Sequence, residues 1–282
     1  MNILSIQSHV AYGHVGNSAA VFALQRLGIE VWPVHTVQFS NHPGYGGFRG
    51  HAFDGALIGD VVQGIEERGA LKSCNGVLSG YVGSAEIGPS IVDAVARVKR
   101  ANPQALYCCD PVIGDVGRGV YVQPGVAEFI RARMVPAADV ATPNLFELGH
   151  LTGRSTRNMG EVLQAAQALR ALGPRTVLVT SIDNDETPEN TAELAVCDDS
   201  SAYRLRTPKL PIAANGTGDV IAALFLAHLL RTGSAADALS HAASSVFGIL
   251  KRTAAAGSRE ILLIEAQDEL AKPSAAFRAE QL

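Results

Sequence analysis

The sequence predicts an α/β fold in which helices cover both faces of a mostly parallel central sheet, with a small flap and an edge hairpin. Apolar segments of strand length alternate with segments of helical periodicity along most of the chain, which is the pattern of parallel sheets. The 282 residues are 47% hydrophobic and 18% charged, enough apolar material to bury a full core. We see neither an internal repeat nor a linker, so we expect one domain over residues 1–282.

In the first half of the chain, short apolar runs alternate with helical segments. Gly28 ends the first helix, because glycine readily adopts the left-handed conformation found after a helix. Residues 40–53 are too rich in glycine and aromatic side chains for a plain connection and predict a mobile flap. In chain order, the predicted elements are strand 3–7, helix 17–27, strand 30–39, the flap 40–53, helix 54–68, strand 76–79, helix 85–101 and strand 105–109.

The second half continues the same alternation and then changes to a hairpin and two helices. Residues 183–190 are polar and predict a loop, and the two strands after it are close enough in sequence to pair as an edge hairpin. In chain order, the elements are a strand near Val140, a helix from Asn144, helix 158–172, strand 175–180, strands 192–197 and 203–206, a helix after Gly218, and helix 234–252.

The charge and cysteine content exclude several classes of function. The formal net charge is −4, which gives no long-range attraction to nucleic acid or to an anionic membrane. No apolar stretch is long enough for a membrane span, and the first residues read as a strand rather than a signal peptide. The four cysteines form no C-x-x-C pair, which argues against a disulfide framework and a structural zinc site. We therefore expect a cytoplasmic protein.

A glycine-rich turn, Asn215-Gly216-Thr217-Gly218-Asp219, precedes a long apolar run and carries the most information about function. The two glycines allow a left-handed backbone and close approach of a ligand, and the first N–H groups of the following helix have no internal partner. Such a helix start binds anions, phosphate above all. Asp219 would repel a phosphate, so it is a candidate base for a hydroxyl that attacks one. The alternative is that Asp219 only favours the helix dipole.

Polar clusters follow several predicted strands. In a parallel α/β sheet, ligands collect beyond the carboxyl ends of the strands, so we expect these clusters to meet at one edge of the sheet, facing the glycine turn. Ser8 is more plausible as a hydroxyl that holds a polar substrate than as a nucleophile, because no G-x-S-x-G surrounds it. The clusters are Ser8-His9, Ser79-Gly80-Tyr81, Asp110-Pro111, Thr142-Pro143-Asn144 and Thr180-Ser181.

Carboxylates after a strand and at a helix start form a candidate magnesium site. Asp110 and Asp115 share one loop, and Asn144 and Glu147 are three positions apart, on one face of a helix. These hard oxygen ligands suit Mg²⁺ that also binds water and substrate phosphates. The alternative for Asn144 and Glu147 is a capping box at the helix N-terminus.

These features together describe phosphoryl transfer. The backbone donors of Gly216, Thr217 and Gly218 would hold the developing charge, and magnesium near Asp110 and Glu147 would bridge the phosphates. Asp219 would deprotonate the attacking alcohol. Neither G-x-x-x-x-G-K-[ST] nor G-x-G-x-x-G is present, so a P-loop and a dinucleotide fold are poorly supported.

The motifs resemble a known family of kinases. Gly216-Thr217-Gly218-Asp219 with Asn144-x-x-Glu147 upstream resembles the ribokinase-like superfamily of small-molecule kinases. The resemblance narrows to pyridoxal kinases of the shorter bacterial type and runs in order over almost the whole chain. It is carried by Ile6-Gln7-Ser8-His9-Val10, Gly13-His14-Val15-Gly16-Asn17, Val37-Gln38-Phe39-Ser40-Asn41-His42, Ser79-Gly80-Tyr81, Cys109-Asp110-Pro111-Val112 and Thr142-Pro143-Asn144.

The resemblance implies transfer of phosphate from ATP to the 5′-hydroxyl of pyridoxal, giving pyridoxal 5′-phosphate. It implies that Ser8 contacts polar groups of the pyridine ring, that Phe39 and Tyr81 flank the ring, and that Asp219 is the base. Pro43 and Gly44 would lie in the substrate loop. It also implies magnesium, a homodimer and a possible monovalent cation. The residues implied around ATP are Asp110, Asp115, Thr142, Glu147, Thr180, Thr207, Pro208, Lys209 and Leu210.

Two departures from the family pattern keep other functions open. Pro43 stands where relatives commonly carry Thr, and Thr180 stands where some carry Lys. One alternative is a kinase of the same fold that acts on another heteroaromatic alcohol, such as hydroxymethylpyrimidine. Another is a pyridoxal phosphate-binding reservoir with weakened activity. Phe39 and Tyr81 favour a flat ring over a sugar, because aromatic stacking contributes beyond area burial.

Overall fold

The computed structural model describes residues 1–212 and 214–282. Within these residues, ten strands form one sheet in the order β12-β11-β10-β9-β8-β5-β4-β1-β2-β3, and β6 and β7 form a separate hairpin. The strands are β1 (Asn2–Val10), β2 (Glu30–Phe39), β3 (Gly50–Ala52), β4 (Cys74–Ser79), β5 (Leu106–Cys109), β6 (Gly114–Asp115), β7 (Gly119–Val120), β8 (Val140–Ala141), β9 (Thr176–Ile182), β10 (Thr191–Cys197), β11 (Ala202–Pro208) and β12 (Glu280–Gln281).

The six central strands, from β9 to β2, are parallel, and antiparallel strands complete both edges. The predicted edge hairpin is β10 and β11, which pair antiparallel over their full lengths. The helices are α1 (Asn17–Arg26), α2 (Gly55–Glu67), α3 (Gly88–Ala101), α4 (Val126–Phe129), α5 (Val135–Ala137), α6 (Leu145–Thr152), α7 (Met159–Arg170), α8 (Thr217–Thr232), α9 (Ala235–Ala255) and α10 (Asp268–Ala271).

Helices cover the sheet on both faces, as the sequence predicts. Leu4 and Ile6 of β1 point into a core formed with α2, α3, α6 and α7, while Ile3 points into a second core formed with α1, α8 and α9. This alternation follows from the two-residue period of a strand, and because both faces are buried the strands need no polar face. The expectation of one domain over residues 1–282 stays a prediction.

The flap of residues 40–53 contains two short regular elements, and its predicted mobility stays a prediction. Its first part forms a 3₁₀ turn at Pro43–Tyr45, and its end forms β3, which pairs antiparallel with β2. The predicted helix over 85–101 begins later, at Gly88, with Pro89 at its first turn. The hairpin β6–β7, the helical segment from α4 to α5, α10 and β12 were not predicted.

The order of the strands creates a crevice at the carboxyl end of β1. The chain adds β2 on one side of β1 and then returns to add β4 on the other side. At such a switch point, connections leave in opposite directions and a ligand site opens between them. No helix within the described residues is long and apolar enough to cross a membrane.

Candidate active site

A cavity of about 720 Å³ opens at the carboxyl ends of the parallel strands. It brings together most of the residues singled out from the sequence, because parallel strands end at the same edge of the sheet. The predicted residues that line it are Ser8, Phe39, Pro43, Gly44, Tyr81, Asp110, Asp115, Thr142, Glu147, Thr180, Gly216, Thr217, Gly218 and Asp219.

The glycine turn has the geometry of an anion site. Gly216 is in the left-handed region (φ 87°) and starts α8 without a side-chain cap, so the first N–H groups of the helix keep free hydrogen-bonding capacity. A Cβ at Gly216 would lie 1.8 Å from the carbonyl oxygen of His14, whereas a Cβ at Gly218 would meet nothing within 4 Å. The fold therefore requires glycine at 216, while the glycine at 218 leaves open space at a helix start that is electrostatically positive.

Asp219 lies in the first turn of α8, with its carboxylate near the backbone N–H of Gly16. Burial raises the pKa of the Asp219 carboxyl to about 6, and the nearby N–H of Gly16 opposes part of that rise. A Cβ at Gly16 would lie 2.3 Å from both the Oγ and the carbonyl oxygen of Ser8. Gly16 therefore packs between Ser8 and Asp219 and holds the two side chains near each other.

Asp110 and Glu147 are buried, with 7% and 4% of their surfaces exposed. The Thr142 hydroxyl donates to Asp110 over 2.8 Å. Burial, followed by the charges of Glu147 and Asp219, raises the pKa of Asp110 well above its usual range. Burial also raises the pKa of Glu147 to about 7, although three backbone N–H groups donate to its carboxylate. Both carboxyls are thus poised for a cation that would stabilise their charged forms.

The capping-box alternative for Asn144 and Glu147 is realised. The Asn144 side chain accepts the N–H of Glu147 over 2.9 Å, and Glu147 in turn accepts the N–H of Asn144 over 2.9 Å. The other Glu147 oxygen accepts the N–H groups of Ile113 and Gly114. A direct metal bond would compete with these donors, so Glu147 fits a contact to metal-bound water better than direct coordination.

No group of three or more His, Cys, Asp and Glu side chains within 1–212 and 214–282 is arranged to hold a metal ion. The cavity lining nevertheless contains four carboxylates and, among the described residues, Arg118 as its one Lys or Arg side chain. A polyphosphate in this cavity would need further positive charge. Mg²⁺ bound by Asp110, by water and by the phosphates themselves fits that requirement.

Phe39, Ser8 and Tyr81 line one cavity from neighbouring strands, and their role as a slot for a flat ring stays a prediction. Ser8 is on β1, which lies between β2, where Phe39 ends the strand, and β4, which Tyr81 follows. The Thr36 hydroxyl donates to the carbonyl of Tyr81 over 2.7 Å and ties the two sides together. The ring of Phe39 packs on Phe48 of the flap, with centroids 4.4 Å apart.

Among the residues that the family resemblance implies near the nucleotide, some line the cavity and others lie outside its lining. Thr180 lines the cavity and donates its backbone N–H to Pro143 over 3.0 Å. Thr207, Pro208, Lys209 and Leu210 lie outside the lining, and the Lys209 ammonium pairs with Asp183 over 2.9 Å. Because β11 runs parallel to β9, this segment ends at the same edge of the sheet, so its role with the nucleotide stays a prediction.

Sequence reasoning missed Arg118 and Tyr121, which line the cavity from the β6–β7 hairpin. Burial, followed by the charges of Glu147, Asp110, Asp115 and Asp219, raises the pKa of Tyr121. The available signal was the Gly-rich run that continues from Asp115 to Tyr121, directly after the predicted carboxylate loop. Each strand of the hairpin has two residues, too few to show a period in the sequence.

Comparison with known proteins places these features in one family. The family described as phosphomethylpyrimidine kinase matches residues 73–262. The chain is 55% identical to "Pyridoxal kinase PdxY" of Granulibacter bethesdensis, covering 99% of both chains, and 51% identical to the protein of the same name from Corynebacterium diphtheriae, covering 100% of both. Among solved structures, pyridoxal kinase from Leishmania donovani in complex with ADP is similar with a TM-score of 0.93 and 30% identity, over 100% of this chain and 99% of that one.

A methyl group added at Gly216 or at Gly218 should have different effects on the free energy of unfolding. Gly216→Ala should lower the free energy of unfolding by at least about 2 kcal/mol, because it combines a left-handed backbone with a clash against His14. Gly218→Ala should leave that free energy unchanged or raise it by up to about 1 kcal/mol, since alanine favours a helix and the space is open. Urea unfolding followed by circular dichroism measures both, and equal losses would contradict the assigned geometry.

Proposed function

The chain belongs to the pyridoxal kinase family, and we propose that its cavity transfers the γ-phosphate of ATP to the 5′-hydroxyl of pyridoxal, giving pyridoxal 5′-phosphate and ADP. The observation that supports this proposal is the position of the Asp219 carboxylate, in the first turn of α8, in the same cavity lining as Phe39 and Tyr81. The curated relatives named pyridoxal kinase support the substrate, and so does a Leishmania donovani pyridoxal kinase solved with ADP and pyridoxamine.

The alcohol substrate would enter the slot between Phe39 and Tyr81. Stacking on these rings favours a planar heterocycle, and the Ser8 hydroxyl can both donate to and accept from its polar substituents. Pro43 and Gly44 of the flap line the same part of the cavity and would cover the ring. Pro43 is the first residue of the 3₁₀ turn, where no backbone N–H is required, so this departure from the family pattern fits the local structure.

The phosphates of ATP would lie between the glycine turn and the carboxylate loop. The N–H groups at 216–218 would stabilise charge on the transferred group, and Arg118 would add a positive charge from the β6–β7 hairpin. Mg²⁺ would be held by Asp110 and through water by Glu147, and it supplies neutralisation of the phosphate charge. A monovalent cation, and Thr207, Pro208, Lys209 and Leu210 on the nucleotide side, belong to the same proposal.

Asp219 would take the proton of the 5′-hydroxyl as the new phosphorus–oxygen bond forms and the bond to ADP breaks. With a pKa of about 6, the carboxyl is mostly ionised at neutral pH and yet more basic than an ordinary aspartate. We include in the proposal a single cytoplasmic kinase domain that acts as a homodimer.

Removing the base should reduce turnover and leave binding intact. We expect Asp219→Asn to lower kcat by roughly 10²–10⁴-fold, because a general base contributes that much, with KM for pyridoxal and for ATP changed little. Steady-state kinetics with magnesium ATP checks this, with Asp237→Asn in the first turn of α9 as the matched control. An unchanged kcat would remove Asp219 from the mechanism.

The activity should have an acidic limb set by Asp219. Because the raised pKa of about 6 makes the carboxyl protonated below that pH, kcat/KM for pyridoxal should be constant near pH 8 and fall tenfold per unit below about pH 6. The direction is a loss of activity on acidification, since only the ionised form accepts a proton. A profile from pH 5 to 9 measures it, and activity that persists unchanged at pH 5 would contradict the assignment.

The match to the phosphomethylpyrimidine kinase family supports a second candidate substrate, hydroxymethylpyrimidine. The aromatic slot would accept either ring, so the comparison needs kcat/KM for both alcohols at saturating magnesium ATP. We expect pyridoxal to be preferred by at least about tenfold, because the full-length relatives carry that name. The reverse preference would support the second candidate. Ligand binding with negligible ATP consumption would support the reservoir hypothesis instead.

A further inference from the structure

Glu260 lies between α9 and α10 and touches three segments that border the cavity. One carboxylate oxygen accepts the hydroxyl of Tyr45, which belongs to the flap. The other accepts the backbone N–H of His14 over 3.3 Å, in the loop between β1 and α1. The backbone of Glu260 forms a bridge with Asn215, at the start of the glycine turn. One side chain thus connects the flap, the His14 loop and the anion site.

The surroundings of Glu260 hold its side chain in this position. The Ser258 hydroxyl accepts the N–H of Glu260 over 3.1 Å and donates to its carbonyl over 2.7 Å, which fixes the backbone. Gly13 has a φ of 91°, and a Cβ there would lie 2.4 Å from the carboxylate. Any larger residue at 13 would displace the Glu260 side chain. The sequence analysis gave Glu260 no role, and the phosphate-transfer chemistry does not use it directly.

The His14 loop connects Glu260 with the groups that are proposed to take part in phosphate transfer. The carbonyl of His14 packs against Gly216, and the N–H of Gly16, two residues on, lies near the carboxylate of Asp219. Tyr45 ends the 3₁₀ turn whose residues Pro43 and Gly44 line the site. Burial and the bond to Glu260 raise the pKa of the Tyr45 phenol, so it stays a hydrogen-bond donor at neutral pH.

We propose that Glu260 is a positioning residue that fastens the flap over the alcohol substrate through Tyr45 while it fixes the His14 loop against the anion site. The inference rests on the proposed function, because it assigns the flap to the alcohol rather than to ATP. A charged acceptor makes the bond to Tyr45 stronger than a neutral one. Loss of this bond should weaken retention of the alcohol, which the flap would cover, whereas the phosphates of ATP would contact the glycine turn rather than the flap.

Kinetics of Tyr45→Phe, Glu260→Ala and the double variant test the connection. Each single change should raise KM for pyridoxal about tenfold, the value of one hydrogen bond to a charged group, and Tyr45→Phe, which leaves the bond from His14 to Glu260 in place, should change KM for ATP less than about threefold. The double variant should be no worse than Glu260→Ala, because both changes remove the same bond. Glu260→Gln should recover part of the loss, since its amide can still accept from His14 and bond to the Tyr45 hydroxyl.

Matched controls and a readout independent of activity make the outcome decisive. Tyr12→Phe removes a 65% exposed phenol near the flap, and Glu189→Gln removes an exposed carboxylate; neither should change KM. Hydrogen exchange of the amides at 41–49 should be roughly tenfold faster in Tyr45→Phe and in Glu260→Ala, without substrate.

Unchanged exchange and unchanged KM in Tyr45→Phe, a change on the exposed flap that cannot unfold the core, would overturn the proposal. Additive effects in the double variant would do the same. If the wild-type protein fails to phosphorylate pyridoxal, the proposed function fails, and the exchange measurement still decides whether Glu260 fastens the flap.

Discussion

The close packing of the His14 carbonyl against the α-carbon of Gly216 is the contact on which the rest of the site depends. Only a residue without a side chain allows this approach, and the same residue must be left-handed for α8 to start with its N–H groups toward the cavity. The His14 loop continues directly to Gly16, whose N–H lies near the carboxylate of Asp219. The backbone of one loop therefore borders both the glycine turn and the proposed base.

The second organising constraint is electrostatic. Asp110, Glu147 and Asp219 lie close together in a poorly solvated cavity, and each has a raised pKa with burial as the largest cause. Concentrated negative charge of this kind opposes folding, and active sites are where such an arrangement recurs. A divalent cation that arrives with a nucleotide would relieve the repulsion. Under the proposed function, the metal and the nucleotide would each favour binding of the other.

Much of this architecture was predictable because its signals are local. The parallel strands are continuous apolar runs, and the polar residues that follow them were expected to meet at one edge of the sheet. Elements that depend on distant partners were missed: β3 and β12 exist because edge strands pair with them, and the hairpin β6–β7 is too short to show a period. The helical stretch from α4 to α5 did carry a signal, Val126, Ile130 and Met134 at four-residue spacing, all buried.

The site was predictable where a motif names its residues, as for Asp219 and the two glycines. Arg118 and Glu260 are single charged residues in connecting segments, and a single charge in a loop has no periodicity to distinguish it from a solvated surface residue. For Glu147 the sequence offers two interpretations rather than none. The three-residue spacing from Asn144 fits both a capping box and a metal ligand, and the hydrogen bonds of Glu147 form the capping box. Only the packing of the carboxylate loop onto α6 shows that a capped glutamate also borders the cavity.

The composition of the cavity wall matters for an aldehyde. Pyridoxal and its phosphate react with amines to form imines, so an accessible lysine amine would capture the product. Within the part of the chain that the structure describes, the wall offers a guanidinium, Arg118, and no lysine. The four thiols are buried, and burial raises the pKa of the thiol of Cys109, next to Asp110, to about 12. An aldehyde substrate and its product can therefore bind to this wall and leave it without forming a covalent bond to the enzyme.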